Sequence, residues 1–278
     1  MARLHTDYLD TVYVHDVEFI AESRTPRAEG HHLSALGSEQ DAYGLGEDQA
    51  GQVLGDGDRE VLGAIAALRE LQDRGVVRRV GISGTLEPNL ILSIIGKMSI
   101  GYPLPTLLRV AILVLLETGK PLDVVMSYSH LNLQNRMLES FRPAFLERAK
   151  VKYVVSASPL NMGLLSPKPP PWHPASEEIK AAVTDAIAMH NKRIDGEQNG
   201  PTFSEVALRY AFERALKAQI PTVSGLCRTE EVHTCARVWH DLQTGEAKGE
   251  LETHVQAVLS FLKDTNVLDQ SWRNPSFG

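Results

Sequence analysis

The stretch "TDYLDTVYVHDVEF" (residues 6–19) places a histidine and an aspartate, His15 and Asp16, directly after a strand-like run. Apolar side chains recur along the run, and β-branched and aromatic residues favour a strand there. An imidazole at the end of a strand can bond a backbone carbonyl, or it can donate a hydrogen bond to a ligand. The spacing alone leaves both roles open for His15.

The other reactive side chains are too sparse for a metal centre. Cys227 and Cys235 match no zinc or redox spacing, and two thiols form no disulfide framework, so we predict reduced cysteines. His31 and His32 are adjacent in a flexible loop that brings no further ligands, so we predict no metal site.

Composition restricts the class of protein. The chain has 278 residues, of which 43% are hydrophobic, and a formal net charge of −7. A sizeable core is possible, and the acidic balance argues against a nucleic-acid partner. The N-terminus has no signal peptide, and the longest apolar run (104–116) is too short for a bilayer and contains Arg109. We therefore predict a cytoplasmic protein without a membrane partner.

The elements that would position His15 alternate between strand and helix. Short Val-rich runs suit a parallel sheet that is covered on both faces, and amphipathic helices lie between them. The predicted strands are residues 9–17, 77–83, 122–129, 152–158 and 221–226. The predicted helices are residues 58–75, 131–150, 204–219, 229–242 and 249–265.

Helix ends and loops can also be predicted. We expect Asp58 to cap the first helix, Gly75 to end it, and Ser204 to be the N-cap of a later one. Residues 21–57 and the Pro-rich residues 166–176 are predicted to be long surface loops, which often carry function. No G-x-G-x-x-G follows a strand, so the dinucleotide fingerprint of an open sheet is missing, and five β/α units do not close an eight-stranded barrel.

Five segments, in order, resemble the aldo-keto reductase family. They are "YLDTVYVHD", "LRELQDRGVVRRVGISG", "LDVVMSYSHLNLQN", "VVSASPLNMGLLS" and "IPTVSGLCRTEEVH", and they agree with strands four to eight of that family's barrel. The segments "SASPLNMGLLS" and "SWRNPSF" are similar to the branch of fungal D-arabinose dehydrogenases and plant L-galactose dehydrogenases.

The resemblance implies a fold and an activity. The fold is a (β/α)₈ TIM barrel, here a single incomplete domain over residues 1–278 whose first three β/α units are missing. The activity is hydride transfer between NADP or NAD and a small sugar, oxidising the anomeric C1 of an aldose to a lactone. The cofactor would lie across the C-terminal ends of the strands. The oligomeric state is open.

The resemblance also implies a catalytic set of tyrosine, lysine, aspartate and histidine. His15 matches the histidine that orients the substrate oxygen. The other three belong to strands two and three and the loops after them, which this sequence lacks, and Tyr8 and Tyr13 are expected to pack. One alternative is therefore a non-catalytic remnant or an incomplete gene model. Another is a β/α protein of a different class, such as a phosphate-sugar isomerase.

Four residues match the nicotinamide and pyrophosphate contacts. Ser83 matches the serine that binds the carboxamide, and Gly84 replaces the asparagine that often follows it. Tyr128 matches a strand-end aromatic residue, while Ser158 and Leu160 match the loop that holds the pyrophosphate. Backbone N–H groups near a short helix start favour phosphate, although Ser158 and its following proline also suit an ordinary turn.

The segment after the last strand matches the adenosine end. Ser224, Gly225 and Arg228 are the candidates there. Arg228 could pair with a 2′-phosphate and favour NADP, or it could be a solvated surface charge. Glu230 and Glu231 are expected to stabilise the helix dipole. Two further positions differ from many relatives: Val125 replaces a glutamine, and Ala157 replaces a ring that stacks on the nicotinamide, as it does in the sugar-dehydrogenase branch.

Residues 85–101 interrupt the resemblance. Relatives run from "GISG" directly into "YPLPTLL", and removal of this apolar stretch would restore "GISGYPLP". The codons for its two ends permit splice signals. We therefore interpret the stretch as a translated intron, and we expect the missing N-terminus to come from the same gene-model error. The alternative is a real insertion over the barrel mouth.

Overall fold

The computed structural model describes residues 2–27, 30–84, 103–195, 200–245 and 248–272. The interrupting stretch 85–101 and most of the "SWRNPSF" motif lie outside the described residues. The interpretation of 85–101 as a translated intron and the branch resemblance of "SWRNPSF" therefore stay predictions.

Five parallel strands form one sheet and pair in the order of the chain. They are β1 (Leu9–Val14), β2 (Val77–Gly84), β3 (Val124–Tyr128), β4 (Tyr153–Ala157) and β5 (Thr222–Val223). All five predicted strands are confirmed. Most are shorter than predicted, because the predicted ranges included flanking residues, such as His15 and Ser158, that lie beyond the paired positions.

Seven α-helices connect the strands or follow them in the described chain. They are α1 (Asp56–Asp73), α2 (Pro103–Thr118), α3 (Met137–Glu147), α4 (Glu177–Arg193), α5 (Phe203–Ala218), α6 (Thr229–Thr244) and α7 (Lys248–Asp264). The residues 131–136, predicted to be helical, form turns instead, and Pro143 lies inside α3. Within the described residues, no helix is both long enough and apolar enough to span a membrane.

Two predicted helix caps are wrong. The N-cap of α1 is Gly55, so Asp58 lies in the first turn, where its carboxylate has other partners. The N-cap of α5 is Thr202, not Ser204. The Thr202 hydroxyl accepts from the Glu205 N–H at 3.3 Å, and the Glu205 carboxylate accepts from the Thr202 N–H at 2.7 Å. This reciprocal pair is a capping box, which satisfies two backbone donors at once.

The core consists of two clusters of buried hydrophobic residues. One cluster of buried residues packs α1, α2 and α3 against the sheet, with Ile65, Leu108 and Phe141 fully buried. A second cluster joins α4, α5 and α7, around residues such as Val206 and Leu262. Both clusters exclude water from the helix faces that pack inward, including those of α2 and α4, two helices that were not predicted, so the strand ends are held in fixed positions.

The segment between β1 and α1 is packed, which corrects the prediction of a flexible surface loop over residues 21–57. It contains the 3₁₀ turns Val17–Phe19, Leu33–Leu36 and Asp41–Tyr43. His32 is only 1% exposed, and its Nδ1 lies 3.0 Å from the hydroxyl of the buried Tyr43. A segment rich in glycine and charge is held here by individual polar contacts rather than by regular structure.

Candidate active site

A cavity of about 830 Å³ opens at the C-terminal ends of the strands. Parallel strands end on one side of a sheet, so polar residues that follow each strand meet there. Eight of the nine predicted site residues line this cavity: His15, Ser83, Gly84, Tyr128, Ser158, Leu160, Ser224 and Gly225. The ninth, Arg228, is exposed and is not part of the wall.

His15 follows β1 directly and is presented to the cavity. Its side chain is 66% exposed, and its Nδ1 lies 2.8 Å from Oδ1 of Asp16, whose side chain is 13% exposed. The imidazole therefore lies beside a carboxylate and is largely open to the cavity. The sequence pointed to His15, but no role was predicted for Asp16.

Ser83 and Gly84 end β2. The Ser83 hydroxyl is buried and has no hydrogen-bond partner among the described residues. A buried hydroxyl without a partner is costly unless a ligand supplies one. At Gly84, a Cβ atom would approach the Glu18 carboxylate oxygens to 3.0–3.1 Å. The asparagine common in relatives would therefore crowd Glu18, which gives a physical reason for glycine.

The ends of β3 and β4 form the middle of the wall. Alternation along β3 turns Met126 and Tyr128 toward the cavity and buries Val125 in the core cluster under the sheet. A change at position 125 therefore cannot remove or add a cavity contact. Ala157 lines the cavity, and its small side chain leaves room beside Tyr128 where a ring would otherwise stand.

Ser158 follows β4 in a left-handed backbone conformation, with φ at 63°. Its hydroxyl accepts from the Met162 N–H at 2.7 Å, and its carbonyl accepts from the Asn161 N–H at 2.9 Å. The hydroxyl thus closes a turn, as the alternative interpretation predicted. It keeps its own proton available for donation to a ligand, because the hydroxyl acts only as an acceptor in that contact.

The segment after β5 enters α6 at Thr229, as predicted. Glu230 and Glu231 line the cavity, and Glu231 accepts from the N–H groups of Cys227 and Arg228 at 2.7 and 3.3 Å. Glu231 therefore satisfies the helix start, in agreement with its predicted dipole role. The cavity at this end is acidic, since the guanidinium of Arg228 is not part of its wall.

Trp172 also lines the cavity and was not predicted as a site residue. It belongs to the Pro-rich loop, is 63% exposed, and stacks on His173 with 6.3 Å between ring centroids. His173 is 2% exposed; its Nδ1 accepts from the Ala175 N–H at 3.1 Å and its Nε2 lies 3.0 Å from the Asn161 carbonyl. The buried histidine fixes the loop, and the exposed indole beside it is available to a ligand.

A comparison with protein families decides the family. A profile of the Aldo/keto reductase family matches residues 1–248. The chain belongs to the aldo/keto reductase family. The resemblance predicted from the five ordered segments is thereby confirmed at the family level.

Two curated relatives of this aldo/keto reductase are sugar dehydrogenases. The chain is 31% identical over 233 residues to D-arabinose 1-dehydrogenase of Saccharomyces cerevisiae, an alignment that covers 83% of this chain and 52% of the relative. It is 27% identical over 265 residues to L-galactose dehydrogenase of Arabidopsis thaliana, covering 95% of this chain and 63% of the relative. The chain thus spans between about half and two thirds of the length of these relatives.

A solved structure is also similar. A thermostable aldo-keto reductase crystallised with the inhibitor epalrestat matches with a TM-score of 0.44 and 14% identity, covering 94% of this chain and 62% of that one. The roles predicted for individual cavity residues remain predictions.

Proposed function

We propose that the cavity is the cofactor-binding part of the active site of an NAD(P)-dependent aldose dehydrogenase. Enzymes of this kind oxidise the anomeric C1 of an aldose, such as D-arabinose or L-galactose, to a lactone. The observation that carries the proposal is that one cavity gathers eight of the nine predicted site residues, seven of them matched to the family, from the ends of all five strands. The two sugar-dehydrogenase relatives support the substrate class.

The residues of the wall fit a nicotinamide dinucleotide. Ser83 offers a buried hydroxyl without a partner, which suits the carboxamide of the nicotinamide. Ser158 has a hydroxyl proton to donate to a phosphate oxygen. Trp172 covers the cavity from the Pro-rich loop. When bound, NAD(P) supplies the hydride acceptor. His15 contacts the oxygen of the reacting carbon.

The acidic end of the cavity favours NAD over NADP in this proposal. Glu230 and Glu231 line the wall, whereas Arg228 does not. A carboxylate can accept a hydrogen bond from a ribose 2′-hydroxyl but repels a 2′-phosphate. Arg228, the basic residue that the sequence offered for NADP, does not line the cavity.

A second candidate is a protein that binds the cofactor without catalysing its reaction. Among the described residues that line the cavity, Tyr128 is the one tyrosine and no lysine is present. The family's proton transfer needs a tyrosine whose pKa is lowered by a lysine. Tyr128 ends β3, between the Ser83 and Ser158 positions rather than beside His15, so it fits a packing role against the cofactor.

Titration of the purified chain with NADH and NADPH, followed by nucleotide fluorescence, tests the proposal. We expect saturable binding, tighter for NADH. Ser83→Ala should weaken it about three- to tenfold, the value of one neutral hydrogen bond, while the exposed Ser38→Ala serves as the matched control. Binding of neither nucleotide would overturn the proposal, and tighter binding of NADPH would overturn only the cofactor preference.

A further inference from the structure

The loop that follows β4 contains three left-handed residues within five positions. They are Ser158, Asn161 and Met162, with φ of 63°, 53° and 56°. Residues other than glycine adopt this region at a cost, and they keep it where their surroundings fix them. Ser158, Leu160 and Met162 line the cavity, and Asn161 among them is fully buried. The contacts that hold Asn161 therefore set the shape of this part of the cavity wall.

Gln134 holds Asn161 through a pair of buried amides. The Asn161 Nδ2 donates to the Gln134 Oε1 at 2.9 Å, and both residues are fully buried. The other end of the same amide, Gln134 Nε2, donates to the carbonyls of Val267 at 2.8 Å and Gln270 at 3.0 Å. The two carbonyl acceptors fix the nitrogen end of the Gln134 amide, so its oxygen faces Asn161 as an acceptor.

The same turn holds residues 267–272, here called the C-terminal segment. The Gln134 carbonyl accepts from the Asp269 N–H at 2.8 Å, and the Asp269 carboxylate accepts from the Arg136 N–H at 2.7 Å. The Asn132 Oδ1 accepts from the N–H groups of Gln134 and Asn135, both at 2.9 Å, and so holds the turn itself. Gln134 thus joins the turn after β3 to the C-terminal segment and to the loop after β4.

The Asn161 carbonyl extends this network into the Pro-rich loop. The His173 Nδ1 accepts from the Ala175 N–H at 3.1 Å, so the proton of the neutral imidazole is on Nε2, which donates to the Asn161 carbonyl at 3.0 Å. Trp172, which lines the cavity, stacks on His173. Trp272 of the C-terminal segment packs edge-on against the same imidazole, with 5.1 Å between ring centroids.

We infer that Gln134 is a positioning residue for the proposed cofactor site, and that it makes the shape of the cavity wall depend on the C-terminal segment. Gln134 does not line the cavity; it acts through Asn161 on the loop that carries Ser158, and through His173 on Trp172. The inference rests on the proposed function for the identity of the ligand.

Loss of the Gln134 amide would leave the Asn161 amide and two carbonyls without these partners inside the protein. The left-handed loop would then sample other conformations. Binding of a nucleotide would first have to order the loop, and the affinity would fall with the population of the competent state.

Amide hydrogen exchange of the full chain without ligand, measured by mass spectrometry, tests the coupling. Gln134→Met keeps the length of the side chain and removes its amide. We expect about tenfold faster exchange in residues 158–166 and in residues 267–272, because buried polar groups lose their partners in both segments. Gln52→Met is the matched control and should leave both segments unchanged, since it removes an exposed amide that donates to the Asp48 carbonyl at 2.8 Å.

Two further variants separate the coupling from a general loss of stability. Asn161→Gly keeps the left-handed backbone without strain and removes the amide. It should speed exchange in residues 158–166 but not in residues 267–272, because Gln134 still donates to its two carbonyls. Ile65→Val lowers stability from the other core cluster. Exchange in residues 158–166 that is unchanged in Gln134→Met, or that rises equally in Ile65→Val, would overturn the inference.

Titration with NADH tests the link to the cofactor site. Gln134→Met should bind NADH about three- to tenfold more weakly than the natural chain. Ile65→Val should bind it as the natural chain does, since it leaves the network intact. Unchanged affinity in Gln134→Met would overturn the positioning role. Absence of binding by the natural chain would instead overturn the proposed function, and the exchange experiment, which needs no ligand, distinguishes the two failures.

Discussion

Arg109 and Asp58 form an ion pair in the interior, with 2.6 Å between Arg109 Nη2 and Asp58 Oδ1 and side chains that are 1% and 0% exposed. The same carboxylate accepts from the N–H groups of Glu22 at 3.0 Å and Leu54 at 2.9 Å. The pair therefore joins α1 and α2 to the segment that precedes α1. Loss of Arg109 alone would leave the buried Asp58 carboxylate without its counter-charge, and loss of Asp58 would free the two backbone donors.

We expect Arg109→Met to lower the free energy of unfolding by about 3–5 kcal/mol, because an unpaired buried carboxylate remains. Urea denaturation measures the loss. The double variant Arg109→Met/Asp58→Leu should recover part of it, since both charges are then absent. Arg59→Ala, which breaks an exposed pair with Asp56, is the control and should change stability by less than about 1 kcal/mol. A cost for Arg109→Met as small as that of the control would contradict the assignment.

Three buried imidazoles should make the protein sensitive to acid. Burial disfavours the charged form and lowers the pKa of His32 to about 4, of His130 to about 3 and of His173 to about 4. The unfolded chain takes up these protons as the pH falls below 6.5, whereas the folded chain does not until about pH 4 or lower. The stabilisation is thus full above pH 6.5 and is lost through this window.

Each imidazole should contribute a slope of about 1.4 kcal/mol per pH unit in that window. Urea denaturation at a series of pH values measures it. His130→Gln should reduce the slope by about 1.4 kcal/mol per pH unit, the contribution of one proton. Above neutral pH, its effect on the free energy of unfolding should not depend on pH. An unchanged slope in His130→Gln would show that another group causes the acid sensitivity.

Asp123 should also make stability depend on pH, but here the folded protein stabilises the charged form of the side chain rather than the neutral form. Burial alone would raise the pKa of this carboxyl, but the Val80 N–H at 3.0 Å, Lys152 at 2.9 Å and Gln72 at 2.8 Å donate to it and lower the pKa to about 2. Its contribution is present above pH 3.8, the ordinary pKa, and is lost as the pH falls toward 2.

We expect Asp123→Asn to lower the free energy of unfolding near neutral pH by about 2 kcal/mol. The difference from the natural chain should shrink as the pH falls from 3.8 toward 2, where the folded Asp123 carboxyl also becomes neutral. Asp10→Asn, which removes a carboxylate that is 61% exposed, is the control and should cost far less. A difference that stays constant down to about pH 2 would contradict the role of the charge.

Local patterns were sufficient for the five strands. The family resemblance, rather than a local pattern, selected the predicted site residues; eight of the nine line one cavity, and their roles stay predictions. Each strand carries β-branched residues, although β2 also contains Arg78 and Arg79, and the residue that follows a strand lies at the C-terminal edge of a parallel sheet. The start of α5 was also encoded locally, since Thr202 and Glu205 have capping-box spacing, but Ser204 has an equally good side chain. The choice between them depends on the angle at which the chain enters the helix.

Contacts between distant residues could not be predicted. The packing of residues 21–57 depends on Asp58 meeting Arg109 and on His32 meeting Tyr43, and no periodicity marks those pairs. In the sequence, Trp172 cannot be distinguished from any other exposed aromatic residue of a loop. The structure shows that the buried His173 beside it fixes this loop. Asp16 was visible in the sequence, yet its contact with His15 depends on a left-handed backbone that the sequence does not specify.

We expect no measurable aldose dehydrogenase activity from the 278-residue chain with D-arabinose or L-galactose and either nucleotide. The described cavity wall has no lysine beside a tyrosine, and loss of one positioned acid or base typically costs ~10²–10⁴-fold in rate. Formation of NADH or NADPH measures turnover. A rate near ~1–10³ s⁻¹ would contradict the expectation and favour the first candidate function over the second.

The five strands pair in the order in which a ribosome makes them. Each strand from β2 onward finds its partner already synthesised, with one connecting segment between them. A nascent chain can therefore extend the sheet one strand at a time, at the ~5–20 residues per second of translation. Once β3 has emerged from the ribosome, the chain can form a three-stranded parallel sheet, because β2 pairs with both β1 and β3 and no later strand is needed.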